Sequence, residues 1–194
     1  FAVSVTGITL SPLQARAAAA RASRRGLQER CRFLAGDFLE PGALAAAGSP
    51  FHAAYAIEAF SHAASARRFF QAAAGFLAPG GRLAICDDFL AESPAGRCRA
   101  RCLQRLRRGW GLGSLISLEE LVEQAGAAGF ALEFQRDLTP FLRLEPPLRR
   151  LPQLTLGLVL RGTPWGSSRL GGAALQQALA AGWVRYLFLV LERR

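Results

Sequence analysis

The chain contains no lysine and no methionine, so its 24 basic residues are all arginine. It has no uncharged run of about 18 apolar residues, and the sequence therefore predicts no membrane-spanning helix. The first residues lack the basic stretch and apolar run of a signal peptide. With 194 residues, 51% of them hydrophobic, the chain is long enough for one domain with its own core but too short for two.

Cysteine is scarce, and its spacing argues against a metal site. Cys31, Cys86, Cys98 and Cys102 form no Cys-x-x-Cys pair and have no histidine at metal-ligand spacing. Cys98 and Cys102 are one helical turn apart, which leaves a metal clip as the alternative. Free thiols, buried or half-buried in a cytoplasmic protein, are the favoured interpretation.

The excess of positive charge allows two interpretations. A net charge of +10 suits a surface that binds nucleic acid. The arginines, however, are spread over several predicted helices, and the chain is rich in alanine and glycine, as proteins of GC-rich bacterial genomes are. We therefore favour a solvated, arginine-rich surface and a small-molecule partner over a nucleic-acid groove.

Predicted strands and helices alternate along the first half of the chain. Ser11 caps the first helix, with Pro12 at its first position and Gln14 three residues after the cap, and Gly26 ends it. This alternation indicates βαβ units, and hence an α/β fold with a doubly wound, mostly parallel sheet. Predicted strands cover residues 2–8, 31–38, 51–60 and 82–89, and a second helix covers 65–77.

The pattern loosens in the second half, where the last strand is expected to be antiparallel. Trp110, Phe141 and the leucines and prolines that follow suggest that 90–128 and 139–172 form a helical lid over an apolar acceptor, within a single domain spanning 1–194. No element is predicted firmly between 139 and 172. Helices are predicted over 95–108, 117–127 and 173–181, and strands over 130–138 and 183–191.

Polar side chains follow each of the first four strands at the point where the strand ends. In a doubly wound sheet, ligands bind beyond the carboxyl ends of the strands. We therefore expect these side chains to line one cleft. They are Thr9 and Gln14 after the first strand, Asp37 after the second, Glu58 and His62 after the third, and Asp87 and Asp88 after the fourth.

The residues after the third and fourth strands suggest different chemical roles. Glu58 and His62 are four residues apart and would share one face of a helical turn, where a carboxylate can act as general base or stabilise a cation. His62 has the alternative of an ordinary helix-start residue. Asp87 and Asp88 are adjacent on a strand and point to opposite faces, so one could reach substrate while the other caps the next helix.

Several stretches carry a resemblance to a known family. They are GITLSPLQ, GDFLEPG, FHAAYAIEAFSHA with the following ARRFFQAAAGFLAPGGRLAICDDF, and the closing pair AGAAGF…DLTPFL and WVRYLFLVLERR. Together they resemble the Rossmann-like S-adenosylmethionine-dependent methyltransferases, in the branch of the sterol, tocopherol and cyclopropane-fatty-acid enzymes. The resemblance covers most of Val3 to Phe89 and the last strand. It implies S-adenosylmethionine as cofactor and methyl transfer to a small, hydrophobic acceptor at carbon or oxygen.

The resemblance also implies which residues bind the ribose. The backbone of Thr9 and Leu10 and the side chain of Gln14 would hold the ribose hydroxyls. Gln14 has an alternative, because its side chain would complete a capping box with Ser11. One side chain could not easily do both.

The resemblance places the adenine and the methyl group as well. Asp37 would accept a hydrogen bond from the adenine amino group, and the Phe38 backbone would donate to a ring nitrogen. The alternative for Asp37 is a turn-forming residue before Pro41. Ile57 and Glu58 would end the strand that faces the reacting methyl group, with Glu58 and His62 as the catalytic residues.

The chain departs from the family in one respect. In the family a first strand and a glycine-rich loop precede the segment seen here, and neither is found. Gly109, Gly111 and Gly113 have the Gly-x-Gly-x-Gly spacing of such a loop, but they follow a predicted basic helix and not a strand. We therefore interpret them as an ordinary loop. We expect an N-terminally incomplete domain, with an inactive, degenerate member or a domain completed by another polypeptide as the alternatives. A nucleic-acid methyltransferase is less favoured because no Asn-Pro-Pro-aromatic motif follows a strand. A homodimer is one of the oligomeric states that the sequence allows.

Overall fold

The computed structural model describes residues 3–40, 42, 48, 50–145, 155, 159, 160 and 163–194. None of the helices in these ranges is long and apolar enough to cross a membrane. The strands are β1 Val5–Thr9, β2 Cys31–Ala35, β3 Phe51–Ile57, β4 Leu77–Leu90, β5 Phe130–Asp137 and β6 Val184–Arg193. The helices are α1 Pro12–Arg24, α2 Ala66–Phe76, α3 Arg97–Trp110, α4 Leu118–Gly126 and α5 Pro164–Ala180, with a 3-10 turn over Thr139–Phe141.

The strands lie in two sheets. β1 pairs in parallel with β2, and the second sheet has the order β3–β4–β6–β5. Within it β3 and β4 are parallel, whereas β6 runs antiparallel to both β4 and β5. The predicted α/β class and the antiparallel last strand are confirmed. The two sheets are separated between β1 and β3. Within the described ranges, no strand pairs with the edge of β1 that faces away from β2, or with the edge of β3 that faces away from β4.

The larger core lies on one face of the four-stranded sheet. Side chains alternate along β4, and its Leu83 and Phe89 point into a cluster shared with α2 and α4. Phe60, in the loop after β3, stacks on Phe89 with ring centroids 5.7 Å apart. Phe38, beyond the end of β2, packs edge-on against Phe69 of α2 at 5.5 Å. These aromatic contacts connect the two-stranded sheet to the larger core through α2.

Helices α3 and α5 pack closely because glycines face each other between them. A β-carbon at Gly109 would lie 2.5 Å from the Cα of Gly171, so neither position has room for a larger residue. Trp110 Nε1 donates to the carbonyl oxygen of Ser168 at 3.1 Å. Gly111 adopts the left-handed conformation, with φ of 65°, where α3 ends. Gly111 and Gly113 lie in a loop, as the sequence predicted, whereas the prediction is wrong for Gly109, which lies within α3 and allows its close packing against α5.

Helix α5 begins earlier than the sequence indicates. The prediction started at residue 173, whereas the helix starts at Pro164, after Thr163, whose hydroxyl accepts the Gly166 N–H at 3.1 Å. Because glycines lower helix propensity, the sequence pattern did not predict this part of the helix. Gly171 is nevertheless required there, because a β-carbon would lie 2.7 Å from the Trp110 ring.

The two predicted lid segments are described unequally. Residues 90–128 contain α3 and α4. In the other segment, 139–172, positions 146–154, 156–158, 161 and 162 lie outside the described residues. Phe141, one of the aromatic residues that suggested a lid, is exposed and lies under the guanidinium of Arg136 at 5.5 Å from its ring centroid. The lid therefore stays a prediction.

Gly113 allows a test of the packing around the loop after β3. A β-carbon there would lie 2.6 Å from the carbonyl oxygen of Ala63 and 2.9 Å from the Cα of Ala64. Because both are backbone atoms, Gly113→Ala must displace the loop, and we expect it to lower the free energy of unfolding by about 1–3 kcal/mol. Urea unfolding measures the effect.

The matched control is Gly75→Ala in α2, where a β-carbon would meet open space. It should leave the packing intact and raise the free energy of unfolding by up to about 1 kcal/mol, because alanine favours a helix more than glycine does. Equal unfolding midpoints for the two variants would contradict the close approach at Gly113.

Candidate active site

The loop after β3 begins with an uncommon backbone conformation. Glu58 has φ of 50°, in the left-handed region that non-glycine residues rarely adopt, and such residues are concentrated at functional sites. Its N–H donates to the Cys86 carbonyl at 2.9 Å. The segment from Glu58 to His62 consists of bends and a turn, so the prediction that these two residues share a helical face is wrong. His62 is exposed and has no hydrogen bond within the described ranges.

The buried carboxylate of Asp87 holds this loop in place. Its Oδ2 accepts the Ser61 N–H at 3.1 Å, and its Oδ1 accepts the N–H of Asp88 at 2.8 Å. Ser114 adds two bonds, because its N–H donates to the Ser61 carbonyl at 3.0 Å and its hydroxyl to that of Ala63 at 2.7 Å. Asp87 thus fixes the loop from the core side of β4.

Neither aspartate caps the helix that follows, so that prediction is wrong. Helix α3 begins after Gly96 without a side-chain cap. The carboxylate of Asp87 is engaged by the loop after β3, and Asp88 lies on the opposite face of the sheet. The predicted opposition of the two side chains across β4 agrees with their different surroundings.

Three polar side chains meet on the face of the sheet opposite the core. Asp88 on β4 is directly opposite Tyr186 on β6, so their side chains lie on the same face. The Tyr186 hydroxyl donates to Glu58 Oε1 at 3.3 Å, and the Tyr186 N–H donates to Thr139 Oγ1 at 2.8 Å. Asp88 is 8% exposed. Glu58, Asp88 and Tyr186 therefore form one acidic cluster beyond the end of β3.

Burial shifts the acid–base behaviour of this cluster. Burial, followed by the negative charges of Asp87 and Glu58, raises the pKa of Asp88 to about 7. The pKa of Tyr186 is raised by burial first, and then by the neighbouring Cys86 thiol and the Glu58 carboxylate. Tyr186 thus keeps its proton and acts as a donor, whereas Asp88 exchanges its proton near neutral pH.

An apolar surface adjoins the acidic cluster on the same face. Ile57 pairs with Cys86, and Tyr55 with Ala84, so all four side chains share the face that carries Asp88. Ile57 and Tyr55 are 61% and 70% exposed. Within the part of the chain that the structure describes, no helix covers them. An apolar ligand would find there a surface next to ionisable groups.

The residues predicted to hold the ribose stand together at the end of β1. The Thr9 hydroxyl donates to Gln14 Oε1 at 2.8 Å and accepts the Ser11 N–H at 3.2 Å. The Ser11 hydroxyl accepts the Gln14 N–H at 3.3 Å, as expected for a cap. The Gln14 side chain therefore contacts Thr9 instead of completing a capping box. Leu10 is 75% exposed beside them.

The residues predicted to hold the adenine follow β2. Asp37 Oδ1 accepts the Leu39 N–H at 2.9 Å, which is the turn-forming role that the sequence left as the alternative. The Phe38 ring is packed against Phe69. Both observations leave the second oxygen of Asp37 and the backbone of Phe38 for a ligand, and the adenine contact stays a prediction.

A groove of about 380 Å³ lies beside this end of the fold, between α1 and β2. Arg21, Arg25 and Phe33 are among its lining residues, and Gln14 is the one predicted site residue there. No carboxylate lines it, so it is separate from the acidic cluster. Among the described residues, no group of three or more His, Cys, Asp or Glu side chains is placed to hold a metal ion.

Two contributors to the site were missed by the sequence reasoning. Tyr186 lies in a hydrophobic strand, and its role depends on the register that sets it opposite Asp88. Its place as a polar residue within an apolar strand was a usable signal. Ser114 follows a glycine-rich stretch that has no recognisable function in the sequence, and nothing in the pattern singled it out.

Comparisons with known proteins agree with this architecture. Residues 1–81 match the family model of a methyltransferase domain. The chain is 32% identical over 142 residues to 27-O-demethylrifamycin SV methyltransferase of Amycolatopsis mediterranei, covering 73% of this chain and 50% of that protein. It is 28% identical over 138 residues to sterol 24-C-methyltransferase ERG6B of Gibberella zeae, covering 69% of this chain and 35% of that protein.

A solved structure extends the likeness to the whole chain. Geranyl diphosphate C-methyltransferase from Streptomyces coelicolor A3(2), in complex with Mg²⁺, geranyl diphosphate and S-adenosyl-L-homocysteine, superposes with a TM-score of 0.69. The sequence identity is 18%, and the match covers 100% of this chain and 65% of that one.

These comparisons confirm the resemblance that the sequence motifs indicated. The chain has the fold of the S-adenosylmethionine-dependent methyltransferases, and its residues 1–81 match the model of the methyltransferase-domain family. It spans about half the length of the rifamycin relative and about a third of the sterol relative. The roles of individual residues stay predictions.

The raised pKa of Asp88 predicts how stability depends on pH. The folded state holds this proton more tightly than the unfolded state, whose carboxyl keeps its ordinary pKa of 3.8. Stability is therefore lost as pH rises from about 4 to about 7, by at most on the order of 4 kcal/mol. Asp88→Asn should remove this loss, so that it stabilises the protein at about pH 8 far more than at about pH 4.5.

Urea unfolding of the wild type and Asp88→Asn at both pH values measures this difference. Glu133→Gln is the control, because Glu133 is an exposed carboxylate paired with Arg82 at 3.4 Å. It should change stability little at either pH. A stabilisation by Asp88→Asn that is the same at both pH values would rule out a raised pKa.

Proposed function

We propose that this chain binds S-adenosylmethionine across the carboxyl ends of β1, β2 and β3 and transfers its methyl group to a small, hydrophobic acceptor at carbon or oxygen. The supporting observation is that, in a methyltransferase fold, Thr9, Gln14, Asp37 and Glu58 lie at or just beyond the carboxyl ends of three successive strands, where ligands bind. Action on a small molecule rather than nucleic acid, a cytoplasmic location and a bacterial source belong to the same proposal.

The adenosine half of the cofactor would use the ends of β1 and β2. One oxygen of Asp37 accepts the Leu39 N–H, and the other has no hydrogen bond within the described ranges, so it is available to the adenine amino group. The backbone of Thr9 and the amide group of Gln14, whose oxygen accepts the Thr9 hydroxyl, would face the ribose. Both groups are held by local turns, which limits the conformational entropy lost on binding.

The methyl end of the cofactor would face the loop after β3. Glu58 places a carboxylate there, which suits the positive charge of a sulfonium, and Ile57 adds an exposed apolar surface. The two relatives methylate an oxygen of a rifamycin and carbon 24 of a sterol, according to their names. Large apolar acceptors of this kind fit the uncovered face beside Ile57 and Tyr55.

Binding of S-adenosylhomocysteine by isothermal titration tests the proposal. We expect the wild type to bind and Asp37→Asn to bind about tenfold more weakly. Asparagine retains an oxygen for the Leu39 N–H, but its amide group opposes the amino group of adenine. The variant therefore separates the adenine contact from the turn.

Glu29→Gln is the matched control, because Glu29 is an exposed acidic residue in the turn before β2. It should bind as the wild type does. A folded wild-type protein that binds no S-adenosylhomocysteine would refute the proposal and favour a domain without cofactor or activity.

A further inference from the structure

The acidic cluster contains two carboxylates in different situations. Glu58 is exposed and accepts a hydrogen bond from the Tyr186 hydroxyl. Asp88 is nearly buried, and no donor reaches its carboxylate within the described ranges. Environments that differ in this way give two neighbouring carboxylates different proton affinities. Glu58 accepts a hydrogen bond at the surface, whereas Asp88, buried without one in the described part of the chain, gains and loses its proton near neutral pH.

The other ionisable groups around Asp88 do not offset the effect of burial on its pKa. Tyr186 faces it from β6, Cys86 shares its face two residues back on β4, and Asp87 adjoins it from the core side. None of them carries positive charge, and no arginine pairs with Asp88 in the part of the chain that the structure describes. The surroundings thus favour a protonated Asp88 until the pH approaches about 7.

We propose that Asp88 is the proton acceptor of the methyl-transfer site, with the carboxylate of Glu58 beside it, and that the methyl acceptor is a hydroxyl compound. This inference rests on the proposed function. The acceptor oxygen attacks the methyl carbon of S-adenosylmethionine, and the carbon–sulfur bond breaks with its electron pair going to sulfur. The hydroxyl proton passes to the Asp88 carboxylate, which later releases it to water. The products are the methyl ether and S-adenosylhomocysteine.

The position of Asp88 suits this role better than that of His62. Asp88 lies on the face that carries Ile57 and Tyr186, next to Glu58, which follows the strand expected to face the methyl group. His62 lies within the turn that the Ala63 N–H closes onto the Phe60 carbonyl, and it is exposed. A base works best when its pKa lies near the working pH, and that of Asp88, about 7, meets this condition.

The test follows the Asp88 carboxyl by carbon-13 NMR titration of this chain labelled in its aspartate side chains. Asp88→Asn assigns the resonance by removing it. The titration is repeated with saturating S-adenosylhomocysteine and with S-adenosylmethionine, which differ at sulfur by one positive charge. We expect a pKa of about 7 for Asp88 without ligand. It should be lower by about 1 with S-adenosylmethionine than with S-adenosylhomocysteine, because an opposite charge nearby favours the ionised carboxyl.

Two variants sharpen the result. Glu58→Gln should lower the pKa of Asp88 without ligand, because it removes a like charge. Glu133→Gln, on β5 and away from the cluster, should leave that pKa unchanged. Calorimetric binding of S-adenosylhomocysteine is measured on the same samples. Binding without a response of Asp88 to the sulfonium, or an ordinary pKa for Asp88, would overturn this inference and leave the proposed function standing. Absence of binding would overturn both.

Discussion

Strand β4 is hydrogen-bonded along both edges, and its register fixes what the elements around it can do. β3 lies parallel on one side and β6 antiparallel on the other. Because successive side chains point to opposite faces, Leu83, Ile85 and Phe89 enter the core, and Asp88 takes the opposite face. A shift of one residue would exchange the two sets, removing Leu83, Ile85 and Phe89 from the core and Asp87 from its contact with the Ser61 N–H.

Asp87 connects this strand to the candidate site. It is the one carboxylate of the pair that lies on the core face, and it accepts the Ser61 N–H from the loop after β3. A buried charge costs free energy unless donors surround it, and here two backbone N–H groups do so. The loop is thereby held where Glu58, in its left-handed conformation, reaches Tyr186. Core packing and the acidic cluster are two consequences of the same strand.

Local signals in the sequence were sufficient for much of the fold and for part of the site. The Ser11 cap with Pro12, and the alternation of strands and helices, predict elements that the structure contains. These signals could be recognised in the sequence because each depends only on residues that are neighbours along the chain. The residue pattern extends the third strand to residue 60, and only the family resemblance placed its end at Ile57 and Glu58, because no residue type marks the left-handed conformation of Glu58. In the sequence, Glu58 looks like an ordinary residue at the end of a strand.

What the sequence could not reveal depends on contacts between distant residues. Tyr186 and Glu58 are 128 positions apart, and their hydrogen bond follows from strand register. The early start of α5 depends on Gly171, whose low helix propensity is offset by close packing against Trp110 of α3. The pKa of Asp88 likewise reflects burial that only the folded chain creates.

The central claim is that cofactor and acceptor meet where Glu58 and Asp88 share one face of the sheet. A crystal structure of the protein with S-adenosylhomocysteine tests it most directly. We expect the adenine amino group on Asp37, the ribose beside Thr9 and Gln14, and the sulfur directed toward Glu58. A ligand bound in the groove between α1 and β2, with its sulfur away from the acidic cluster, would contradict it.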